Sequence, residues 1–336
     1  MILEATKILS KGGDLTASVM EAVMEEIMTG KAGTPQIVSF LSNLNARGET
    51  PEELAAAVQV MRRYATRIRT KHKVVLDTCG TGGDKKHTFN ISTAAAFVAS
   101  GAGVAVAKHG NRSVSSKSGS ADVMDALGIN INMDKERLEA CLDDLGIAFL
   151  FAQNLHPAMK YAMEARKTIG AKTIFNFLGP LNNPANATHQ LVGVYDSAWA
   201  RNLAYTLKDL GTKHALVVCG RDNLDEITTT DLTDVFEVRG KKVDKDTIDY
   251  AALGFAKACP EDLTGGDASA NAGIITDILK GRPGPKRDIV VLNAAAAIYT
   301  ADKAGSLKEG IKLAIDSIDS RKALEKLELL RDYSHR

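Results

Sequence analysis

Apolar residues recur at helical spacing through the first 70 residues of the chain. Positions three and four apart lie on one face of a helix, so such stripes predict amphipathic helices that bury one side. Two stripes are visible, one of Val19, Val23 and Ile27 and one of Leu54, Val58, Met61 and Tyr64. Residues 1–70 are therefore predicted to contain helices only.

Helix boundaries in this region are marked by residues that satisfy free backbone groups. Thr34 before Pro35 predicts a helix start, with Thr34 as the N-cap, and Gly48 predicts its end. Thr50 and Glu53 have the spacing of a capping box. A second helix should therefore begin directly after Thr50.

The pattern changes after residue 73. Short apolar runs, each followed by a polar loop and a helix, replace the helical stripes, and this alternation predicts a mostly parallel α/β sheet flanked by helices. The predicted strands include 74–76, 104–106 and 215–218, and the predicted helices include 92–100, 122–127 and one amphipathic helix over 307–330. The stretch 253–285 has no clear period.

Composition narrows the class of protein. The 336 residues suit two domains, and 45% apolar with 25% charged residues is ordinary for a globular protein. A net charge of +1 argues against a dedicated nucleic-acid binder. The four cysteines form no CxxC pair, so neither a zinc site nor a disulfide framework is predicted. With no signal peptide and no apolar run of about 18 residues, we expect a cytoplasmic protein.

The most informative segment is 77–93. It places three glycines and Asp84 after a predicted strand, and Asn90, Ser92 and Thr93 at the start of a helix. Backbone N–H groups in a glycine-rich turn and the positive end of a helix both attract anions. The segment therefore predicts a phosphate or diphosphate site, although the glycines alone also fit an ordinary turn between strand and helix.

Two common phosphate motifs do not match this segment. A Walker loop needs Lys and Ser or Thr after its glycines, and the residues after Asp84 do not supply them. The dinucleotide fingerprint starts at Gly80 and Gly82 but has Lys85 where its third glycine belongs. The ligand is therefore predicted to be neither a P-loop triphosphate nor a nicotinamide dinucleotide.

Further polar loops follow the other predicted strands, at 108–112 and 222–226. Ligands of open α/β sheets bind beyond the carboxyl ends of the strands, so we expect these loops to meet the glycine loop. Lys108 and Arg112 suit phosphate binding, and the loop 113–120 could close over a substrate. A solvated turn is the alternative for each of these residues.

Asp225 and Glu226 are adjacent carboxylates after a strand. Magnesium in proteins is typically held by one or two carboxylates together with substrate phosphates, so this pair is a candidate metal site. A solvated acidic surface is the alternative.

Arg166 lies on a predicted helix that opens at His156 and Pro157. It shares a helix face with Met159 and Met163, and an arginine on an apolar face suggests a bound carboxylate. The alternative is a cation in the last helical turn that complements the helix dipole.

Together these segments resemble the anthranilate phosphoribosyltransferase family over nearly the whole chain. The resemblance rests on GTGGD with TFNIST, KHGNR followed by SVSSKSGSAD, HPA with ARK downstream, TIFNFLGPLNNPA, and LDE, in this order. It implies a fold like that of the pyrimidine nucleoside phosphorylases. A small helical domain would comprise residues 1–70 joined by helices from about 156–180, and a large α/β domain would comprise 71–155 and 181–336.

The resemblance also implies an activity. Such enzymes transfer phosphoribose from 5-phosphoribosyl 1-diphosphate to the amine of anthranilate, in the second committed step toward tryptophan, and they use Mg²⁺. They are usually homodimers joined through the helical domain, and neither a nucleic acid nor a membrane is an expected partner. Two alternatives stay open: a nucleoside phosphorylase of the same fold, and a non-catalytic relative that binds nucleic acid.

Residue roles carried over from the family cover three sites. Donor binding falls on Gly80, Gly83, Asp84, Thr88, Asn90, Ile91, Ser92, Thr93, Lys108, His109, Gly110, Asn111, Arg112, Ser113, Val114, Ser115, Ser116 and Ser120. Anthranilate binding falls on Gly80, Asn111, His156, Arg166 and Pro180, and magnesium binding on Ser92, Asp225 and Glu226.

No obligatory general base is predicted, because the aromatic amine of anthranilate is already neutral at pH 7. His109 is the nearest candidate for one. One departure from the family pattern is Lys85, where many relatives carry glycine, and a side chain there argues against a backbone with positive φ.

Overall fold

The computed structural model describes residues 1–113 and 117–336. Its helices are α1 Ile2–Leu9, α2 Ala17–Met28, α3 Thr34–Arg47, α4 Pro51–Tyr64, α5 Ile91–Gly101, α6 Ser120–Ala126, α7 Lys135–Leu145, α8 Ala152–Leu155, α9 Lys160–Ile169, α10 Ile174–Leu181, α11 Ser197–Asp209, α12 Ala268–Leu279, α13 Pro285–Thr300, α14 Leu307–Asp319 and α15 Lys322–Ser334. Its strands are β1 Leu76–Gly80, β2 Val106–Gly110, β3 Ile147–Phe151, β4 His189–Gly193, β5 His214–Gly220, β6 Thr233–Arg239 and β7 Lys242–Ile248.

The N-terminal helices form largely where the caps predict them. The capping box is confirmed, since the Glu53 N–H donates to Thr50 Oγ1 at 3.2 Å and the Thr50 N–H to Glu53 Oε2 at 2.9 Å. The predicted cap at Thr34 is wrong by one residue. Gly33 is the N-cap of α3, because the Thr34 hydroxyl donates instead to Glu164 of α9, at 2.9 Å.

Helices α9 and α10, far along the chain, pack against α3 and α4. Side chains from α1–α4 and α9–α11 form one hydrophobic core with one face of the sheet. Burial of this continuous apolar surface ties the N-terminal helices to the sheet.

The strands lie in the order β3-β2-β1-β4-β5-β6-β7. Pairing is parallel from β3 through β5 and antiparallel for β6 and β7, which confirms a mostly parallel sheet. Alternate residues of β5 enter different cores: Val217 packs with the N-terminal helices, whereas Leu216 and Val218 pack with α5 and α13. Both faces of the sheet are thus covered.

The first two strands begin later than predicted. β1 and β2 start at Leu76 and Val106 and end in glycine, because pairing continues from Gly80 to Gly193 and from Gly110 to Phe151. Polar residues of the motifs therefore lie inside strands instead of after them.

The C-terminal part also differs from its prediction. The single predicted helix over 307–330 is two helices, α14 and α15, separated by Arg321 at φ +66°. The stretch without a clear period contains α12 and leads into α13. Among the described residues, no helix is long and apolar enough to span a membrane.

Candidate active site

The glycines at the strand ends allow Asp225 to approach the sheet edge. A Cβ on Gly193 would lie 1.6 Å from the Asp225 carbonyl oxygen, and one on Gly80 would lie 2.6 Å from its Oδ2. The same Oδ2 accepts the Gly82 N–H at 2.8 Å. The absence of a side chain at Gly80 and at Gly193 therefore lets the 222–226 loop pack against the glycine loop, as the sequence predicts.

Three carboxylates meet at this edge. Burial raises the pKa of Asp225 to about 7, and the neighbouring Asp84 carboxylate adds to the rise. Burial likewise raises the pKa of Glu226 to about 8, helped by Asp225. Asp84 Oδ2 is buried and, in the described part of the chain, receives no hydrogen bond. Nearby positive charge would stabilise Asp225 and Glu226 in their ionised form.

The donor set fits a magnesium ion that shares its coordination with a substrate. Among residues 1–113 and 117–336, no three His, Cys, Asp or Glu side chains are arranged to hold a metal by themselves. Magnesium does not require such a cage, because substrate phosphates and water supply most of its ligands. A cation would reduce the mutual repulsion of the carboxylates. It would also provide a partner for the Asp84 oxygen that accepts no hydrogen bond.

Lys108 joins β1 to the start of α5. Its ammonium donates to the Thr78 carbonyl at 2.6 Å and to Ser92 Oγ at 3.3 Å, and its side chain is almost fully buried. Burial lowers the pKa of Lys108, while Asp77 opposes this change. The Ser92 N–H in turn donates to Glu226 Oε1 at 3.0 Å. Cation, hydroxyl and carboxylate thus converge at the N-terminus of α5.

The glycine loop has an unusual backbone. Gly82 and Gly83 have positive φ, and so do Lys85 at +60° and His87 at +56°. The expectation that a side chain at position 85 excludes positive φ is therefore wrong. Contacts around the loop outweigh the local cost of about 1 kcal/mol for a non-glycine residue there.

The segment after β2 is only partly described, because Val114, Ser115 and Ser116 lie outside the described residues. The Arg112 guanidinium pairs with Asp122 at 2.8 Å and Asp125 at 2.6 Å, so it is engaged by α6. The Ser113 N–H donates to Asp122 Oδ2 at 3.1 Å. Ser120 is the first residue of α6, and its hydroxyl donates to the Asn111 carbonyl at 3.4 Å.

Two buried histidines form a chain with defined proton positions. His109 Nδ1 lies 3.2 Å from the Gly179 carbonyl, which can only accept, so Nδ1 carries the proton. His109 Nε2 must then accept from His156 Nε2, at 3.2 Å, and His156 Nδ1 accepts from Asn182 Nδ2 at 3.2 Å. Burial lowers the pKa of His109 to about 3 and that of His156 to about 4. Both rings are therefore neutral at physiological pH.

Arg166 stacks on Phe175 of α10, with its guanidinium carbon 5.6 Å from the ring centroid. Burial lowers the pKa of Arg166, and within the described residues no ion pair or hydrogen bond engages its guanidinium. The predicted apolar face is wrong for Met163, which is exposed, since α9 buries Ala162 and Ala165 instead.

Helix α10 links Arg166 to the histidines. Phe175 and Gly179 are four residues apart, so about 6 Å of helix separates the residue under Arg166 from the carbonyl that holds His109. Asn111 also belongs to this region, because Gln153 of α8 donates to its Oδ1 at 3.2 Å. Pro180 in α10 accepts from Gln190 Nε2 at 2.8 Å.

The remaining predicted donor residues surround the start of α5. Thr88 forms an isolated bridge with Thr264, and Asn90 is the N-cap of α5. Ile91 and Thr93 are buried in its first turn. Gly110 ends β2, where a Cβ would lie 2.2 Å from Ser120 Oγ.

Lys172, which lies between α9 and α10, also contacts the site and was not predicted from the sequence. Its ammonium donates to the Gly83 carbonyl at 3.3 Å and lies 3.4 Å from the ring centroid of Tyr195. It thus fastens the glycine loop to the segment before α10. Its position directly before the TIFNFLGP motif was the available signal.

Comparisons with known proteins show which proteins the chain is similar to. Models of the glycosyl transferase family match the chain, the helical bundle domain over residues 3–65 and the a/b domain over residues 72–324. The chain is 53% identical to the anthranilate phosphoribosyltransferase of Methanocorpusculum labreanum, covering 98% of this chain and 97% of that one.

Solved structures show the same likeness. The crystal structure of the Thermus thermophilus anthranilate phosphoribosyltransferase superimposes with a TM-score of 0.93 at 38% identity, covering 99% of both chains. The Saccharomyces cerevisiae enzyme in complex with 5-phosphoribosyl 1-diphosphate and Mg superimposes with a TM-score of 0.91 at 27% identity, covering 99% of this chain and 98% of that one. This chain belongs to the anthranilate phosphoribosyltransferase family.

Proposed function

We propose that the chain transfers the phosphoribosyl group of 5-phosphoribosyl 1-diphosphate to the amine of anthranilate and releases diphosphate, as a step in tryptophan biosynthesis. The observation that carries this proposal is the convergence of Lys108, the glycine loop and the Asp225–Glu226 pair at the N-terminus of α5. A nucleoside phosphorylase would need no diphosphate site, and the near-neutral charge disfavours a nucleic-acid binder.

The donor is proposed to bind along the glycine loop and the start of α5. Breaking the bond between the ribose C1 and diphosphate leaves positive charge on the sugar and negative charge on the leaving group. Lys108 and the backbone N–H groups of the loop stabilise that negative charge. The buried position of Lys108 strengthens this interaction because little water screens it.

Magnesium is proposed to be held by Ser92, Asp225 and Glu226. When bound, it would neutralise charge on the diphosphate leaving group. Replacing both carboxylates, in D225A/E226A, should remove the metal requirement together with most of the activity. Full activity in that variant would contradict the assignment.

The acceptor is proposed to lie between Arg166 and Asn111, with His109, His156 and Pro180 at its entry. The half-buried guanidinium of Arg166 is suited to the anthranilate carboxylate. The amine needs no deprotonation to attack, and His109 cannot easily take a proton because burial lowers its pKa to about 3. Orientation of the two substrates is therefore the main contribution of the chain to the rate.

The organisation around the site is also a proposal. We infer a small domain of residues 1–70 with helices from about 156–180, and a large domain of 71–155 and 181–336; the packing of α9 and α10 on α3 and α4 supports this division. A homodimer joined through the small domain and a cytoplasmic location complete the proposal.

The test is a fluorescence assay with purified protein, anthranilate, the phosphoribosyl donor and Mg²⁺. Loss of anthranilate fluorescence that requires both donor and metal is expected. A folded protein that leaves the signal unchanged, but cleaves pyrimidine nucleosides with phosphate, would replace this proposal with the phosphorylase.

A further inference from the structure

Asn90 occupies a capping position without acting as a cap. Asparagine at an N-cap usually accepts a backbone N–H of the first turn through its side-chain oxygen. The Asn90 side chain makes no such bond, and the Ser92 N–H donates to Glu226 instead. The Asn90 amide is therefore held by something other than its own helix.

The group that holds it is Asn271, in the first turn of α12. Asn271 is 2% exposed, its Oδ1 accepts the Gly266 N–H at 2.8 Å, and its Nδ2 donates to Asn90 Oδ1 at 2.9 Å. No feature of the sequence had indicated this residue.

The orientation of both amides follows from donor and acceptor counting. A backbone N–H can only donate, so the oxygen of Asn271 must face Gly266, and its NH₂ group must face Asn90. Asn90 must then present its oxygen to Asn271. Its NH₂ group consequently points the other way, where it donates to the Ser118 carbonyl at 3.3 Å.

Close packing keeps the two segments in register. A Cβ on Gly265 would lie 2.6 Å from Asn271 Oδ1 and 2.7 Å from the Phe89 nitrogen. The Gly265 N–H donates to the His87 carbonyl at 2.9 Å, and Thr264 bridges Thr88. The 264–271 segment thus lies directly against residues 87–90 of the proposed donor site.

We propose that Asn271 is a positioning residue for donor binding, because it sets the Asn90 amide so that the NH₂ group points away from α12, toward the Ser118 carbonyl and the segment before α6 that is proposed to contact the donor. This inference rests on the proposed function, in which Asn90 contacts the donor. The opposite orientation would present the lone pairs of a carbonyl oxygen to an anionic ligand. Asn271 itself touches no substrate and acts only through Asn90.

The first test compares N271D and N271A. The carboxylate introduced by N271D would keep the shape of the amide but offer only acceptors, so the Asn90 amide must turn over to donate to it. We expect the KM for the phosphoribosyl donor to rise about thirtyfold in N271D and about fivefold in N271A, the sizes that follow from losing a charged or a neutral hydrogen bond. The anthranilate KM should change less than twofold. A merely structural residue would give the reverse order, since aspartate is the closer replacement.

The control for added charge is S269D. Ser269 is exposed in the same turn of α12, so an aspartate at that position adds the same charge without reaching Asn90. Its donor KM should match that of the unmodified protein. Thermal unfolding of each variant checks folding, and N271S replaces N271D if the latter does not fold.

A double-mutant cycle separates action through Asn90 from an independent effect. N90A/N271D should have the donor KM of N90A alone. If N271D weakens donor binding by the same factor in both backgrounds, or has no effect in either, the inference is wrong. An unmodified protein with no phosphoribosyl transfer would instead contradict the proposed function, so the two failures are distinguishable.

Discussion

At the scale of single residues, burial decides which groups at the site carry charge. His109 and His156 are shielded and neutral, whereas the carboxyls of Asp225 and Glu226 have a raised pKa that nearby positive charge would lower. Arg166 keeps its charge but has no partner among the described residues. Among the described residues, the site therefore offers cation and donor groups to anionic substrates, and its two buried histidines are poor proton acceptors.

Arg166→Ala should raise the KM for anthranilate about thirtyfold. The anthranilate carboxylate would lose the half-buried guanidinium as its partner, and a hydrogen bond to a charged group is worth about 2 kcal/mol. Steady-state kinetics at saturating donor measure the effect. R166K keeps the charge but loses the two parallel hydrogen bonds of a guanidinium, so its KM for anthranilate should lie between those of the unmodified protein and R166A. An unchanged KM in R166A would remove Arg166 from the acceptor site.

The histidine chain predicts specific tautomers. Nitrogen-15 NMR should find the proton of His109 on Nδ1 and that of His156 on Nε2, with neither ring titrating between pH 5.5 and 8, since their pKa values are lowered to about 3 and 4. H109N and H156N assign the signals. In the unfolded chain both histidines bind a proton near pH 6.5, whereas in the folded protein they do not. The free energy of unfolding should therefore decrease as the pH falls from about 6.5 toward 4. Titration of either ring near pH 6.5 would contradict the proposed hydrogen bonds of the two histidines.

At the scale of elements, the turn between α3 and α4 contains a second unusual group. Glu49 is 4% exposed, and neither of its carboxyl oxygens accepts a hydrogen bond from another residue in the described part of the chain. Burial raises the pKa of Glu49 to about 7, and Glu53 adds to this, while Arg47 opposes it. Arg47 is itself paired with Glu53 and Asp14, so it is not free to neutralise Glu49.

Glu49→Gln should therefore stabilise the protein at high pH. The folded protein binds the Glu49 proton more tightly than the unfolded chain, so its stability falls as the pH rises from about 4.5 through 7. Urea unfolding should show at most about 1 kcal/mol between E49Q and the unmodified protein at pH 5 and about 3 kcal/mol in favour of E49Q at pH 8. Equal stability at both pH values would show that Glu49 is solvated.

At the scale of the whole molecule, the parallel strands deliver their loops to one edge of the sheet, and the N-terminal helices cover one of its faces. Large apolar side chains remain exposed on the helical part, including Leu3 on α1 and Met163 on α9, 59% and 48% exposed. Single exposed apolar residues are ordinary on protein surfaces, so these two serve as probes of the proposed dimer through the helical part.

The proposed dimer predicts a mass twice that of the 336-residue chain in light scattering after size exclusion. L3E/M163E should shift the protein toward the monomer, because two charges would be buried in the interface. I315E provides the matched control, since Ile315 is also exposed but lies on α14 of the α/β part. A monomeric unmodified protein, or an unaffected double variant, would contradict the dimer.

Features that depend on near neighbours could be predicted from the sequence. The Thr50–Glu53 capping box links residues three apart, so it is readable from the chain. The small-residue helix α5 was also predicted, although its first turn is completed by Glu226, 134 residues away. The expectation that the glycine loop binds phosphate likewise rests on adjacent backbone groups. The order of the motifs along the chain also indicated the family and its reaction.

Contacts between distant segments could not be predicted from the sequence, because they form only in the folded molecule. Asn90 and Asn271 are 181 residues apart, and Lys172 and Gly83 are 89 apart, so no local pattern reveals either contact. The positive φ of Lys85 and the start of α3 were mispredicted for the same reason, because contacts from elsewhere in the chain outweigh local preference. Burial, which sets the pKa of His109 and Glu49, is likewise a property of the packed molecule and not of the residue.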